Sequence, residues 1–199
     1  GGLRARLFRI SFSGEMAFEI AVPSRYGDAL MRKLMEEGEE FDVVPYGTEA
    51  LGVMRIEKGH AAGNELNGTT TANNLGMGRM VSKKKDSIGS TLSERSGLNE
   101  DDALKLVGVK PLASSDKITA GGHLMASDGP VDAAHDQGYV TSAAFSPEMG
   151  SMIGLALIKS GDARLGEKMR LVSPVTDSEV DVEITSAHFV DPEGGRQRA

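Results

Sequence analysis

Glu19 is the residue whose type and setting first suggest chemistry. Residues 17 to 22 alternate, with Phe18, Ile20 and Val22 on one face and Ala17, Glu19 and Ala21 on the other, the period of two expected of a strand with one face on a core. A carboxylate between two alanines has a flat slot beside it. It can accept two parallel hydrogen bonds from a ring that carries an amino group next to a ring N–H. The residues alone equally allow plain solvation, the usual fate of a glutamate on the polar face of an amphipathic strand. Glu15 lies four residues earlier, but on an extended strand the two carboxylates stand roughly 13 Å apart at about 3.3 Å per residue, too far for paired acid–base work unless a turn at Gly14 brings them together. Lys83, Lys84 and Lys85 form a run of cations that reads as a solvated turn.

Other arrangements are missing from the chain. His60, His123, His135 and His188 are scattered, and no pair has metal-ligand spacing, so no metal is expected. No Gly-x-Ser-x-Gly elbow and no glycine-rich dinucleotide fingerprint occur.

The elements that must position these residues fall into two groups, giving an α+β class. After the strand that ends near Pro23, Ser24 is placed to cap an amphipathic helix that carries Leu30, Met31, Leu34 and Met35 and stops at Gly38. Pro45-Tyr46-Gly47 makes a turn, Thr48 is placed to cap a second helix, and Gly59 is a natural C-terminal residue beyond Lys58. Residues 60 to 74 have loop composition, and residues 86 to 103 read as a linker with a short helix from Gly89 to Gly97. Then come β-like runs at Leu104–Val109, Gly122–Met125, Gly138–Phe145, Met152–Ile158, Lys168–Val172 and Val180–Val190, separated by turn residues. Strands at this spacing read as an antiparallel barrel or sandwich.

The 199 residues, 39% of them hydrophobic, are enough for a substantial core. A net charge of −7 argues against nucleic acid as a main partner. No apolar run approaches about 18 residues, so no membrane span is expected. The absence of cysteine removes disulfides and thiolate chemistry and fits a reducing cytoplasm, the expected location.

Two segments carry a family resemblance. Arg9-Ile10-Ser11-Phe12-Ser13-Gly14-Glu15-Met16-Ala17-Phe18-Glu19-Ile20 and Tyr46-Gly47-Thr48-Glu49-Ala50-Leu51-Gly52-Val53-Met54-Arg55-Ile56-Glu57-Lys58-Gly59 resemble the paired motifs of the folate-binding aminomethyltransferases. Within that family the likeness is nearer to the C-terminal part of the alpha subunits of heterotetrameric sarcosine oxidases. Val81-Ser82-Lys83-Lys84-Lys85-Asp86, Thr141-Ser142 with Phe145-Ser146-Pro147, and Asp191-Pro192-Glu193-Gly194 recur there in the same order.

The resemblance implies the C-terminal half of a folate-binding domain over residues 1–86, a linker over 87–103, and a small antiparallel β-barrel domain over 104–199. It implies tetrahydrofolate as the bound small molecule, with Glu19 at the position of the family's pterin-binding glutamate. Phe12 stands where relatives commonly have tyrosine, which keeps ring stacking and loses a phenolic hydrogen bond. The loop Gly59-His60-Ala61-Ala62-Gly63-Asn64-Glu65 matches one that runs past the folate pocket, which makes Asn64 and Glu65 candidates, and Lys83, Lys84 and Lys85 gain a second reading as a landing place for a polyglutamate tail.

The activity implied is that of a sarcosine oxidase in one-carbon metabolism. A flavin elsewhere oxidises an N-methyl amine, and tetrahydrofolate captures the one-carbon unit as methylenetetrahydrofolate. Flavin and NAD are expected only outside this stretch, and the partners are the other sarcosine oxidase subunits. The family's catalytic aspartate lies ahead of the equivalent of Arg9, so no catalytic residue is expected here, and this stretch alone is expected to be inactive. Residues 1 to about 80 are likewise expected to expose apolar surface. Leu51 occupies a position where the glycine-cleavage aminomethyltransferases carry arginine, a departure that favours the oxidase branch. The rival readings are a glycine-cleavage-type aminomethyltransferase and a non-catalytic subunit-interaction domain.

Overall fold

The computed structural model describes residues 2–199. Its C-terminal part is a closed antiparallel barrel of six strands: β3 (Leu104–Pro111), β4 (His123–Ala126), β5 (Gly138–Ser146), β6 (Ser151–Lys159), β7 (Lys168–Ser173) and β8 (Ser178–Thr185), in the spatial order β3-β6-β5-β4-β7-β8, with β8 pairing back onto β3. Barrel, not sandwich, is therefore the outcome, and closure removes the exposed edges that six short strands would otherwise present. Inside lie Val107, Val109, Leu124, Val140, Ala156, Ile158, Met169, Leu171, Val182 and Ile184. The spacing of two along β3, β6, β7 and β8 is the alternation that sends every second side chain inward.

Strand β6 departs from strict alternation because both its faces are covered. Ala156 and Ile158 face the barrel interior, while Ile153 and Leu155 pack with Ile56 of helix α2 (Thr48–Lys58) on the outside. That double burial accounts for the nearly unbroken apolar run Met152-Ile153-Gly154-Leu155-Ala156-Leu157-Ile158. Barrel closure also depends on Gly138, which has a positive φ of 143° and sits so close to β6 that a Cβ there would strike the Leu157 carbonyl.

The N-terminal part is thinner. A two-stranded hairpin, β1 (Arg6–Phe8) and β2 (Glu19–Ala21), is followed by helix α1 (Gly27–Gly38) and α2. Strand β2 is shorter than the alternating stretch suggests, and its expected buried face is not buried. Phe18 and Ile20 are exposed, as are Leu7 and Phe8 of β1, because the described residues supply only these two strands and nothing to cover them. Neither expected cap forms as proposed. Ser24 opens a tight turn, Ser24–Tyr26, with α1 starting only at Gly27, and Thr48 is the first residue inside α2, with Gly47 in the capping position. Helix α1 does end at Gly38, as expected, and the path then tightens through Glu39–Phe41 to Asp42, which takes the left-handed conformation. Gly59 does end α2 with a left-handed φ of 76°, as expected of glycine there. Between the two parts a four-residue helix α3 (Ser90–Ser93) is all that forms of the expected short helix, apart from a turn at Ser96–Leu98. Among the described residues no helix is long and apolar enough to cross a membrane.

Two outcomes follow. Gly138→Ala is expected to destabilise the barrel by about 3 kcal/mol or more, from backbone strain and overpacking together, read by chemical unfolding. The chain in isolation is expected to self-associate through its exposed hairpin, so light scattering over a dilution series should show mass rising with concentration.

Candidate functional site

Helix α2 lies against the barrel, and one of its faces carries Arg55 and another Glu57 and Lys58 to the contact. Arg55 is a cation one residue before Ile56, the apolar contact of the helix with β6. Its Nη1 donates to Glu65 Oε2 at 3.0 Å and its Nη2 to Ser142 Oγ at 2.6 Å. Glu65 has no solvent exposure. Besides Arg55 it accepts from the Ala62 N–H at 2.9 Å, from Ser142 Oγ at 2.7 Å and from Thr141 Oγ1. Pairing of β5 with β6 shifts register between Val140 and Ser142, a bulge that turns two successive hydroxyls toward the same carboxylate. Burial pushes the Glu65 carboxyl up, but the Thr141 and Ser142 hydroxyls, the Ala62 amide and the Arg55 charge outweigh it and hold the group below the usual carboxylate range.

This knot extends to the N-terminal segment. Arg55 Nη1 also donates to the His60 carbonyl at 3.4 Å, and the His60 ring bonds through Nδ1 to the Phe12 carbonyl at 3.0 Å. The Phe12 and His60 rings lie 6.2 Å apart, tilted by 35°. Asn64 Nδ2 donates to the Thr141 carbonyl at 3.0 Å.

On the other side of α2 lies a cleft of about 700 Å³. Ala50, Val53 and Met54 line it from the helix, with Ser13–Glu15 on one wall, Phe145, Pro147 and Glu148 on the opposite one, and Asp191 and Arg196 from the C-terminal tail. The tail is held by the helix: the Glu57 carbonyl accepts from the Phe189 and Val190 N–H groups, and Lys58 Nζ donates to the Asp191 carbonyl and pairs with its carboxylate at 3.3 Å. At the mouth, Arg196 bridges Glu15 at 3.1 Å and Glu148 at 2.9 Å. Glu57 accepts from Ser146 Oγ.

Set against this geometry, the sequence candidates separate. Phe12, Asn64 and Glu65 belong to one connected network. Glu65, expected at a ligand, is instead an internal anchor with its acceptor positions filled, a correction that follows from its burial. Asn64 is exposed, with its amide N–H spent on the barrel. Phe12 is 40% exposed while its backbone is tied down. Glu19 stands apart on β2, exposed and opposite Phe8, and does not line the cleft. Lys83 and Lys85 line a second cleft, with Lys84 outside its lining. Arg55, Thr141 and Ser142, which the reading of the sequence left without a role, carry the knot. The trace of it in the sequence is the adjacent hydroxyl pair Thr141-Ser142 in the middle of a largely apolar strand. Among the described residues no group of three or more His, Asp or Glu side chains could hold a metal ion.

Comparison with known proteins gives two adjoining family matches. The GCVT N-terminal domain matches residues 1–85, and the glycine cleavage T-protein C-terminal barrel domain matches residues 105–191. Sarcosine oxidase subunit alpha of Rhizobium meliloti is 43% identical over 197 residues, covering 98% of this chain and 20% of that protein. An aminomethyltransferase of a Thermoanaerobacter species is 32% identical over 174 residues, covering 86% of this chain and 45% of its own length. The crystal structure of glycine cleavage system aminomethyltransferase T from Bartonella henselae shares the fold with a TM-score of 0.76 at 24% identity, over 94% of this chain and 50% of that one. The chain thus spans a fifth of the sarcosine oxidase subunits and about half of the aminomethyltransferases that it matches.

Glu65→Ala is expected to cost about 3 to 5 kcal/mol, since it leaves the Arg55 charge largely buried without its partner. Because the folded carboxyl titrates below its unfolded value of about 4.3, its contribution is fully present above that value and is lost as pH falls through the lower folded one. Urea unfolding from pH 7 to pH 3 should therefore show a loss of stability in acid that is smaller in Glu65→Gln.

Proposed function

Since the chain belongs to the aminomethyltransferase (glycine cleavage T-protein) family, we propose that it is the folate-binding C-terminal part of a sarcosine oxidase alpha-like subunit. The observation that carries the reading is the state of the segment from Phe12 to Glu19. Its backbone is fastened to the loop that follows α2 through the Phe12–His60 bond, yet it leaves an aromatic ring and a carboxylate facing outward.

The residues fit a pterin in part. Glu19 enters no salt bridge among the described residues, and an unpaired carboxylate can accept the amino group and adjacent ring N–H of a pterin together. The Phe12 ring offers a stacking face. Glu65 does not fit as a contact, because it has no acceptor position left. With Asn64 it holds the loop that carries His60, and so holds Phe12. Tetrahydrofolate bound there would supply the nitrogens that capture a one-carbon unit from an oxidised N-methyl amine, giving methylenetetrahydrofolate. Flavin and NAD chemistry falls to other parts of such an enzyme, whose other subunits are the partners. Identity of 43% to a sarcosine oxidase subunit against 32% to an aminomethyltransferase supports the oxidase branch, as does Leu51.

In the full-length protein, Glu19→Gln is expected to weaken tetrahydrofolate binding by about 2 to 3 kcal/mol, as a charge-assisted pair becomes a mismatched amide. Phe12→Leu should weaken it through lost stacking, with Phe12→Tyr keeping affinity. Calorimetry that finds equal affinity for wild type and Glu19→Gln would overturn the assignment.

A further inference from the structure

The second cleft, of about 810 Å³, lies between the segment after residue 70 and the short helix α3. Its charge is unusual for this chain. Arg79, Lys83, Lys84 and Lys85 make four cations within seven residues with no acid among them, whereas the whole chain carries −7. Among the described residues none of the four enters a salt bridge, although the chain has 29 acidic residues to offer. Arg79, Lys83 and Lys85 line the cleft. Asp86 and Glu94 line it too, leaving a surplus of one positive charge there.

The walls are built, not frayed. On the inner side, buried Asn74 donates to the Leu104 carbonyl at 2.8 Å and accepts from the Thr71 N–H and hydroxyl, which ties that wall to β3. Gly78 lies so near the Asn73 side chain that a Cβ there would push its amide aside. On the outer side, Asn99 Nδ2 donates to the Ser93 and Arg95 carbonyls and closes the turn after α3. Ser82 Oγ accepts the Lys84 N–H at 3.2 Å, a local turn that fixes the lysine run. The run is divided, since Lys83 and Lys85 line the cleft and Lys84 does not.

We infer that this cleft binds a flexible chain of closely spaced anions, held by Arg79, Lys83 and Lys85, with hydroxyls such as Ser87 and Ser90 as further donors. A single anion would gain little from cations this exposed, whereas several linked anions engage all three for one loss of freedom. Two sources share this chemistry, linked carboxylates and linked phosphates. Linked carboxylates as the glutamyl tail of a folate is the version that rests on the function proposed above. The assignment differs from a plain lysine-triplet effect in excluding Lys84 and including Arg79.

The test is calorimetry on the full-length protein with free penta-γ-glutamate, tripolyphosphate and monoglutamyl tetrahydrofolate, at low and high salt. Wild type, Lys83→Gln/Lys85→Gln, Arg79→Gln and Lys84→Gln are compared. One or both free anions should bind at low salt and weaken as salt rises. The double variant should lose about tenfold, Arg79→Gln about threefold, and Lys84→Gln less than twofold. Preference for pentaglutamate over tripolyphosphate identifies carboxylates as the occupant, and the reverse identifies phosphates. Absence of binding by both anions, or a loss in Lys84→Gln as large as in Lys83→Gln/Lys85→Gln, overturns the inference. Pentaglutamate that binds where monoglutamyl tetrahydrofolate does not leaves the cleft standing and removes the folate reading. Circular dichroism of each variant excludes unfolding as the cause of a loss.

Discussion

A carboxylate without solvent must obtain from the protein everything that water would have given it. For Glu65 this means four donors from three separate segments: Arg55 on α2, Ala62 in its own loop, and Thr141 with Ser142 on β5. Opening the contact between α2 and the barrel would strand this charge and that of Arg55 together, so the two parts of the chain have one favourable way to meet. A buried ion pair is weak support for stability when an apolar pair could replace it. Its effect here is on register, because donors from a bulge, a helix and a loop fit one carboxylate in one arrangement. The apolar contact of Ile56 with Ile153 and Leu155 supplies attraction without that selectivity.

The N-terminal segment depends on the same helix. Two strands of three residues each, both exposed, do not form an independently stable unit. What fixes the segment is contact with α2. Gly14, at a positive φ of 89°, packs on the stem of Lys58, where a Cβ would come within 2.8 Å of its carbons, and the Phe12 carbonyl is held by His60. Any residue other than glycine at position 14 would be strained and would force the segment or the Lys58 stem to shift. Lys58 in turn is held by Asp191, so the N-terminal segment, the helix and the C-terminal tail share one buried cation. The Arg196 bridges at the cleft mouth are exposed and add little to this, since exposed pairs contribute only about 0 to 1 kcal/mol.

Much of the barrel was legible in the sequence, because alternation, turn residues and strand length are local. The six β-like runs match β3 to β8 closely, and only the last was drawn too long: β8 ends at Thr185, after which residues 186 to 190 leave the barrel to pair with α2. Helix α2 and its glycine stop were legible for the same reason. The caps at Ser24 and Thr48 were not, since residue type allows a cap and only the path of the backbone decides whether the side chain turns back to it. The choice of barrel over sandwich needed the pairing of β8 with β3, which are about 70 residues apart.

The candidate site divides along the same line. The sequence by itself determined which residues could do chemistry: a carboxylate beside small residues at Glu19, an aromatic at Phe12, a polar pair at Asn64 and Glu65, and three lysines. Only the tertiary structure decided which of them face outward. Glu65 reads like Glu19 in sequence, yet its partner Ser142 is 77 residues away, and that meeting turns a candidate contact into an anchor. Lys84 reads like its neighbours, yet it lies outside the cleft that they line. Residue type fixes what a side chain can donate or accept, but burial and the partners that satisfy it come from distant segments. No local pattern carries that information.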